Sequence, residues 1–320
     1  MTFTRSPAGD DPLWPRASAW LAGELDVAPP AGAPRVEVLG VPCSVGSISP
    51  SEAWRTPPAV RQALARLSPY DPTTGTDLPG AVHLTDLGDL DVADLPLEEA
   101  LQVVADAAGA LVRDALTVAV GGDNAITRPL VRGRCGPDLS RVGLLTLDAH
   151  HDVRHLDDGP RNGTPVRGLL ADGLPGGNVV QVGIGAFTNS AAYAAWCRDA
   201  GITTVTAAEV HARGVDAVLD DALAHLAGCD VVAVDLDVDV LDVAFAPACP
   251  GARPGGLTPT QLFDVARRVG ADPRVAVVDL VEVDAAADHD GRTVMATAMA
   301  LLAVLAGVAR RPGGASVQTR

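Results

Sequence analysis

The chain of 320 residues contains no lysine, so all 24 of its basic side chains are arginine. Without lysine there can be no G-x-x-x-x-G-K-[ST] loop, which excludes a P-loop nucleotide site. No G-x-G-x-x-G turn follows the first predicted strand, and no G-x-S-x-G elbow occurs anywhere. The sequence therefore carries no signature of a dinucleotide site or of a serine hydrolase.

Positive charge is also scarce overall, because 40 acidic residues outnumber the arginines and give a net charge of −16. This balance argues against nucleic acid or an anionic membrane as a partner, and we expect neither. A small anionic substrate stays compatible with it, because a few local arginines can override the global field.

Paired cysteines, a secretory signal and a membrane span are missing as well. The cysteines are odd in number and form no C-x-x-C pair, which predicts reduced thiols in a cytoplasmic protein. The N-terminus carries Asp10 and Asp11 among prolines rather than an apolar stretch. The apolar run 294–308 is about 15 residues long, shorter than a bilayer requires, and predicts a buried helix. The five cysteines are Cys43, Cys135, Cys197, Cys229 and Cys249.

Strand and helix patterns alternate along most of the chain, which predicts βαβ crossovers and one mostly parallel sheet. Residues 1–34, rich in proline and alanine, predict a loosely ordered arm with a short helix near 18–25, and residues 35–320 predict a single domain. The predicted strands are 35–41, 82–87, 117–120, 142–147, 178–184, 202–205, 231–235 and 275–281. The predicted helices are 58–67, 97–116, 166–171, 190–200, 215–226, 259–270 and 294–308.

Two clusters of metal-ligand residues follow apolar runs. Asp148, His150 and Asp152 follow one strand, and Asp237 and Asp239 follow another. Carboxylates that converge on one sheet edge repel each other unless a cation lies between them. A set with an imidazole and no thiolate suits Mn²⁺ or a similar ion, and two ions can share a bridging hydroxide. The alternative is that these acids are solvated loop residues or helix caps.

Four ordered motifs resemble the signature of the ureohydrolase family, which comprises arginases, agmatinases, guanidino-acid hydrolases and formimidoylglutamases. They are Gly-Gly-Asp-Asn at 121–124, Asp-Ala-His-His-Asp at 148–152, Asp-Val-Asp-Val-Leu-Asp at 237–242, and Ala-Pro at 246–247 with Gly-Gly-Leu at 255–257. The resemblance implies a three-layer α/β/α sandwich with a central parallel sheet of eight strands. It also implies homo-oligomers, commonly trimers or hexamers, and a centre of two Mn²⁺ ions. The implied ligands are Asp148, His150, Asp152, Asp237 and Asp239.

The resemblance also implies roles in catalysis. Glu282 matches the family's acidic residue after the last strand, and a carboxylate there can hold the planar cation of an amidine or guanidine. Asp152 is expected to orient the hydroxide and carry its proton to the leaving nitrogen. A surface position in a loop is the alternative for Glu282.

Two departures from the family pattern and two arginines bear on the metal centre and on the substrate. Asn124 stands where histidine is usual, so it is expected to be a weak or absent ligand, or alternatively a helix cap. The segment Asn162-Gly163-Thr164-Pro165 stands where arginases carry their His-Gly pair, and with Thr164 it looks more like the formimidoylglutamase branch. Arg154 and Arg253 suit the two carboxylates of N-formimidoyl-L-glutamate, whereas agmatine carries a distal cation. The expected substrate-binding residues are Arg154, Asn162, Thr164, Arg253 and Glu282.

Three functional hypotheses follow. The first is a manganese-dependent hydrolase of linear amidines that converts N-formimidoyl-L-glutamate to L-glutamate and formamide with a metal-activated hydroxide, in histidine breakdown. The second is a urea-releasing member of the same family that acts on agmatine, a guanidino acid or arginine. The third is a degenerate, non-catalytic relative that serves as a regulatory or assembly subunit.

Overall fold

A computed structural model describes residue 11 and residues 13–311. Eight parallel strands form one central sheet, which confirms the predicted fold class. A crossover connection joins each strand to the next one along the chain, as parallel pairing requires. The strands are β1 (Arg35–Val41), β2 (His83–Asp89), β3 (Ala115–Gly121), β4 (Val142–Leu147), β5 (Val179–Ile184), β6 (Thr203–Thr206), β7 (Val231–Asp237) and β8 (Val275–Val281).

The order of the strands across the sheet is β2-β1-β3-β8-β7-β4-β5-β6. Every residue of β3, β4 and β5 is buried, whereas β2 at the edge has none that is fully buried. Strands that are apolar on both faces belong inside a parallel sheet that is covered on both sides. By the order of the strands, β3, β8, β7 and β4 form the middle of the sheet.

Ten helices cover the sheet within the described residues. They are α1 (Ala17–Leu21), α2 (Thr56–Ala63), α3 (Leu97–Ala110), α4 (Thr127–Cys135), α5 (Pro165–Ala171), α6 (Ala191–Asp199), α7 (Ala207–Arg213), α8 (Val215–His225), α9 (Pro259–Ala271) and α10 (Arg292–Val308). One core packs α1, α2 and α7 to α10 against one face, and a second core packs α3 to α6 against the other. The result is a three-layer α/β/α sandwich.

Side-chain alternation along β7 shows how one strand serves both cores. Val232, Val234 and Leu236 join the first core, whereas Ala233 lies in the second. Successive side chains of a strand point to opposite faces, so an uninterrupted apolar run fills both layers. The same run carries Asp237 to the carboxyl end of the sheet.

Most predicted bounds agree with the structure to within a few residues, but one helix ends earlier than predicted and two helices, α4 and α7, are absent from the predicted ones. The predicted helix 97–116 was wrong at its end, because α3 stops at Ala110 and Leu111 is extended, with φ −69° and ψ 159°. The apolar pattern continues past the helix only because β3 begins at Ala115. Helix α7 was not predicted at all, although Thr206 and Glu209 form a capping box there.

The N-terminal arm is described only in part. The predicted short helix is α1, where Trp20 and Leu21 are buried in the first core. Residues 1–10 and 12 lie outside the described residues, so the expectation of a loose arm stays a prediction there. The last nine residues, 312–320, are likewise outside them.

Helix α10 and the cysteines behave as the sequence predicts. Most of α10 is buried, and no helix within residues 13–311 has the length and apolar character needed to cross a bilayer. All five cysteines are free thiols, and four of them are buried. Cys249 lies behind the metal-ligand segments, and burial raises the pKa of its thiol well above the ordinary value.

Candidate metal centre

Four segments with candidate site residues meet at one edge of the sheet. They follow β3, β8, β7 and β4, which are adjacent strands in the middle of the sheet. The carboxyl ends of parallel strands lie on the same edge, where open α/β sheets bind ligands. Residues that are up to 158 positions apart in sequence therefore come into contact there, as the bond between Asn124 and Glu282 shows.

Three predicted ligands form the tightest group. Oxygen or nitrogen atoms of Asp148, His150 and Asp239 all lie within 4.8 Å of one another. The Nδ1 atom of His150 is 2.9 Å from Asp239 Oδ2 and 3.4 Å from Asp148 Oδ1. Both carboxylates are buried.

Asn124 bridges the other two predicted ligands, and the amide of Asp239 donates to Asp237 Oδ1 at 2.8 Å, which connects them to the first group. The Nδ2 atom of Asn124 donates to Asp152 Oδ2 at 2.8 Å and to Asp237 Oδ2 at 3.4 Å. We call these six residues the acidic cluster: Asn124, Asp148, His150, Asp152, Asp237 and Asp239. The structure thus brings together every residue that the sequence predicts as a metal ligand.

Asn124 lies within a 3₁₀ turn and does not cap a helix. Asp123 is the capping residue, and its Oδ1 accepts from the amide of Ala125 at 2.9 Å. The Oδ1 of Asn124 instead accepts a hydrogen bond from the Thr127 hydroxyl, so its amide nitrogen faces the carboxylates. The helix-cap alternative for Asn124 is therefore wrong.

Burial, followed by repulsion between neighbouring acids, raises the pKa values of three carboxyl groups of the cluster. Burial and then the charge of Asp239 raise the pKa of Asp148 to about 6. Burial and the neighbouring acids raise the pKa values of Asp152 and Asp237 well above the ordinary value. Burial alone would lower the pKa of His150, but Asp239 and Asp148 raise it to about 12.

This donor set fits a divalent cation. Burial and the neighbouring acids disfavour the ionised forms of Asp152 and Asp237, and a cation between the carboxylates reverses that effect. Hard oxygen ligands with one imidazole and no thiolate suit Mn²⁺ better than structural zinc.

Two glycines let the backbone approach the cluster closely. A Cβ atom on Gly122 would lie 1.6 Å from the carbonyl oxygen of Cys43, which explains the Gly-Gly pair. A Cβ atom on Gly251 would lie 1.9 Å from Asp239 Oδ2 and 2.9 Å from His150 Cε1. Residue 251 is therefore packed directly against two predicted ligands.

Asp152 and Glu282 share an unusual backbone conformation. Their φ angles are 52° and 65°, in the left-handed region that non-glycine residues seldom adopt. Such strain persists only where the surroundings hold it, and it concentrates at functional sites. Burial and then the charge of Asp123 raise the pKa of Glu282 to about 8.

A cavity of about 300 Å³ opens onto the acidic cluster. Four of the five predicted substrate-binding residues line it: Arg154, Asn162, Arg253 and Glu282. Thr164 does not, because its hydroxyl accepts from the amide of Arg161 at 2.9 Å and donates to the carbonyl of that residue at 2.8 Å. Thr164 thus closes a turn beside the cavity.

The two arginines of the cavity differ in how they are held. Arg253 donates from Nη1 to the carbonyl oxygens of Pro250 and Ala252, at 3.1 and 2.8 Å. The Arg154 guanidinium makes no hydrogen bond or ion pair within residues 13–311, and its side chain packs over Gly163. Both side chains are exposed, so each can meet a ligand that enters from solvent.

A segment after β5 also lines the cavity, and sequence reasoning missed it. Thr188, Asn189 and Ser190 lie in the wall, and Tyr193 follows in α6. Asn189 Nδ2 donates to the carbonyl of Ala149 at 3.0 Å, which fixes the segment beside the ligands. The polar run 188–190, which begins four residues after the buried strand β5, was the available signal, because this strand neighbours β4.

Comparison with known proteins agrees with this geometry. The arginase family matches residues 34–307. A formimidoylglutamase of Halalkalibacterium halodurans is 36% identical over 276 residues, which cover 84% of this chain and 86% of the relative.

Solved structures give the same result for the fold. The formimidoylglutamase of Bacillus subtilis superposes with a TM-score of 0.85 and 31% identity, covering 97% of both chains. A Trypanosoma cruzi formiminoglutamase determined with two Mn²⁺ ions superposes with a TM-score of 0.82 and 25% identity, covering 93% of this chain and all of the other. From its sequence and its fold, the chain belongs to the arginase family.

Proposed function

We propose that this protein hydrolyses N-formimidoyl-L-glutamate to L-glutamate and formamide. The observation that carries the proposal is one cavity lined by Arg154, Arg253, Glu282 and two acids of the cluster at 237 and 239. A substrate with one amidine and two carboxylates requires this combination of charges. The relatives named formimidoylglutamase support the same substrate.

The acidic cluster is the proposed site of Mn²⁺. Asp148, His150, Asp152, Asp237 and Asp239 would hold two ions, and the ion beside Asn124 would be the weaker one. When bound, a divalent cation supplies Lewis acidity and makes water a better nucleophile at neutral pH. The T. cruzi relative determined with Mn²⁺ supports this choice of metal.

Two side chains of the protein would orient the substrate and deliver a proton to its leaving nitrogen. Glu282 lines the cavity and would hold the cationic N–H groups of the amidine by charge-assisted hydrogen bonds. Asp152 also lines the cavity and would deliver a proton to the α-nitrogen of glutamate as its bond to the amidine carbon breaks. Water supplies the oxygen of formamide, and its two hydrogen atoms end on the two product nitrogens.

Arg154 and Arg253 would bind the two carboxylates of the substrate. Guanidinium groups bind carboxylates through two parallel hydrogen bonds, and neither side chain is committed to an acidic partner within residues 13–311. The same charges would repel the distal ammonium of agmatine. This accounts for the choice of a dicarboxylic amidine over a cationic guanidine.

A substrate panel under Mn²⁺ tests the proposal. We expect formamide from N-formimidoyl-L-glutamate and no urea from agmatine, arginine or a guanidino acid such as 3-guanidinopropionate. Urea from agmatine, with no formamide from formimidoylglutamate, would rule the proposal out. Fewer than one metal ion per chain after Mn²⁺ reconstitution, with no turnover of any compound, would favour the non-catalytic alternative.

We further propose that residues 35–320 act as one catalytic domain in a cytoplasmic homo-oligomer. The family resemblance supports a trimer or a hexamer, because its members commonly form these assemblies. Light scattering after size-exclusion chromatography measures the mass directly. A monomer at micromolar concentration would contradict this part of the proposal.

A further inference from the structure

Asn162 connects the substrate-binding carboxylate to a loop of the cavity wall. Its Nδ2 atom donates to Glu282 Oε1 at 3.0 Å, and its Oδ1 atom accepts from the amide of Ile48 at 3.0 Å. Its own amide donates to the carbonyl of Gly46 at 3.0 Å. One side chain therefore joins two parts of the site that are distant in sequence.

These contacts determine which end of the Asn162 amide faces Glu282. A backbone N–H can only donate, so the amide oxygen must face Ile48 and the nitrogen must face the carboxylate. The loop is held firmly on its other side, because a Cβ atom on Gly46 would lie 2.5 Å from Ala125 Cβ and 2.8 Å from Asp123 Oδ1. Asn162 thus presents a fixed donor to Glu282.

Only one of the two carboxylate oxygens of Glu282 accepts hydrogen bonds within residues 13–311. Its Oε1 atom accepts from the amide of Asn124 at 2.8 Å as well as from Asn162, which uses both lone pairs of that oxygen. No hydrogen bond to Glu282 Oε2 occurs in residues 13–311, and the side chain lines the cavity. A ligand therefore finds one oxygen of this carboxylate available.

The two candidate substrate groups differ in what they require of such a carboxylate. A formimidoyl group carries one terminal nitrogen and a hydrogen on its central carbon. A guanidino group carries a second terminal nitrogen in place of that hydrogen, so its outer edge presents paired N–H groups that match both oxygens of a carboxylate, whereas the outer edge of a formimidoyl group has N–H donors on one side only. A donor that enters the site and finds no acceptor costs binding, which is a strong source of discrimination.

We propose that Asn162 is a specificity-determining positioning residue that leaves Glu282 a single free oxygen and so favours a formimidoyl group over a guanidino group. This inference rests on the proposed function. Asn162 acts through Glu282 and need not touch the substrate. Its effect is to be seen in the preference between two substrates rather than in folding or in metal content.

The test uses two substrates that differ only at the amidine carbon, N-formimidoyl-L-glutamate and N-carbamimidoyl-L-glutamate. We expect the ratio of their kcat/KM values to favour the formimidoyl compound by at least about a hundredfold in the natural enzyme. In Asn162→Ala the ratio is expected to fall by about tenfold or more, because Glu282 Oε1 gains a free lone pair. The Mn²⁺ content should not change.

Asn178→Ala is the matched control. Asn178 also donates its amide to backbone oxygens, at the opposite end of the sheet, and we expect the ratio to stay unchanged there. If Asn162→Ala lowers both kcat/KM values equally, so that the ratio stays within about twofold, the inference is overturned. Asn162→Asp, which keeps the acceptor for Ile48 but removes the donor, must lower the ratio too, and it decides the matter if the alanine variant does not fold.

Failure of the proposed function is distinguishable from failure of this inference. If the natural enzyme releases no product from either compound, the proposed function fails. Calorimetric binding of the same two compounds to the Mn²⁺-loaded protein then tests the positioning role without turnover. Equal shifts in both dissociation constants on Asn162→Ala would overturn it, and a loss of preference would support it.

Discussion

Carboxylates occur in two contrasting settings in this protein. Away from the acidic cluster they are paired with arginine: Asp172 accepts from Arg128 Nε and Nη2, both at 2.7 Å, and Asp86 accepts from Arg61 at 2.7 and 2.8 Å. In the acidic cluster no aspartate contacts an arginine within residues 13–311. The same side chain is neutralised by the protein in one setting and left for a cation in the other.

The contrast separates carboxylates that stabilise the fold from carboxylates that serve the proposed metal centre. A paired carboxylate stabilises the fold in its ionised form, whereas a buried and unpaired one costs free energy until a cation binds. Substitution of aspartate by asparagine should therefore have opposite effects in the two settings.

Asp148→Asn should give the largest effect, because Asp148 lies among the tightest group of ligands. We expect the loss of at least one Mn²⁺ ion per chain and a fall in turnover on the order of a thousandfold. The metal-free protein should become more stable by about 1 kcal/mol, since one repelling charge is removed. Metal analysis, formamide assays and urea unfolding measure the three quantities.

Asp172→Asn serves as the control for that substitution. It removes one charge outside the cluster and should leave metal content and turnover unchanged. A metal-free Asp148→Asn protein that is less stable than the natural one would contradict the contrast between the two settings.

Glu282→Gln should lower kcat/KM by about a hundredfold while metal content stays constant. The amide retains the shape of the carboxylate but removes the charge that holds the amidine cation. Comparison of Mn²⁺ content with kcat/KM separates the two effects. Loss of metal in this variant would show that Glu282 acts as a ligand.

Much of this site could be predicted because the relevant signals are local. The apolar runs before Asp148 and Asp237 predict buried strands, and alternation then places the acids at the strand ends. The arrangement of the strands is a different matter, since nothing local states that β3 and β8 are neighbours although they are far apart in sequence. The family resemblance implied a parallel sheet of eight strands, but it was not used to predict the order of those strands.

What could not be predicted depends on contacts between distant segments. Thr164 carries a suitable hydroxyl, but the turn at Arg161 uses it. Asn189 lacks any motif, yet the pairing of β5 with β4 brings it to the cavity. The helix-cap alternative named Asn124, but the capping residue is its neighbour Asp123. Aspartate and asparagine are equally good caps, so the sequence alone could not decide between the two positions.

Asp172→Asn should also destabilise the fold, because Asp172 is one of the carboxylates that are paired with arginine. The side chain is 13% exposed and accepts two hydrogen bonds from Arg128, so we expect a loss of about 1 kcal/mol in the free energy of unfolding. Urea unfolding of the metal-free protein measures it. A gain in stability would mean that the cost of burying this pair exceeds its attraction.

The smallest effect is expected at Asp71, which is paired with Arg267 at 2.8 Å. Burial alone would raise the pKa of Asp71, but the hydrogen bond and charge of Arg267 lower it below the ordinary value. A carboxylate with a lowered folded pKa contributes stability that is complete above its unfolded pKa of about 3.9 and is lost as the pH falls through the folded value.

Asp71→Asn should therefore destabilise the protein by a few tenths of a kcal/mol to about 1 kcal/mol at pH 7, and by progressively less below about pH 4. The measurement is the difference in unfolding free energy between the two proteins from pH 7 to pH 3. A difference that grows as the pH falls would have the wrong sign for an ion pair. It would place Asp71 with the unpaired acids of the cluster rather than with the paired ones.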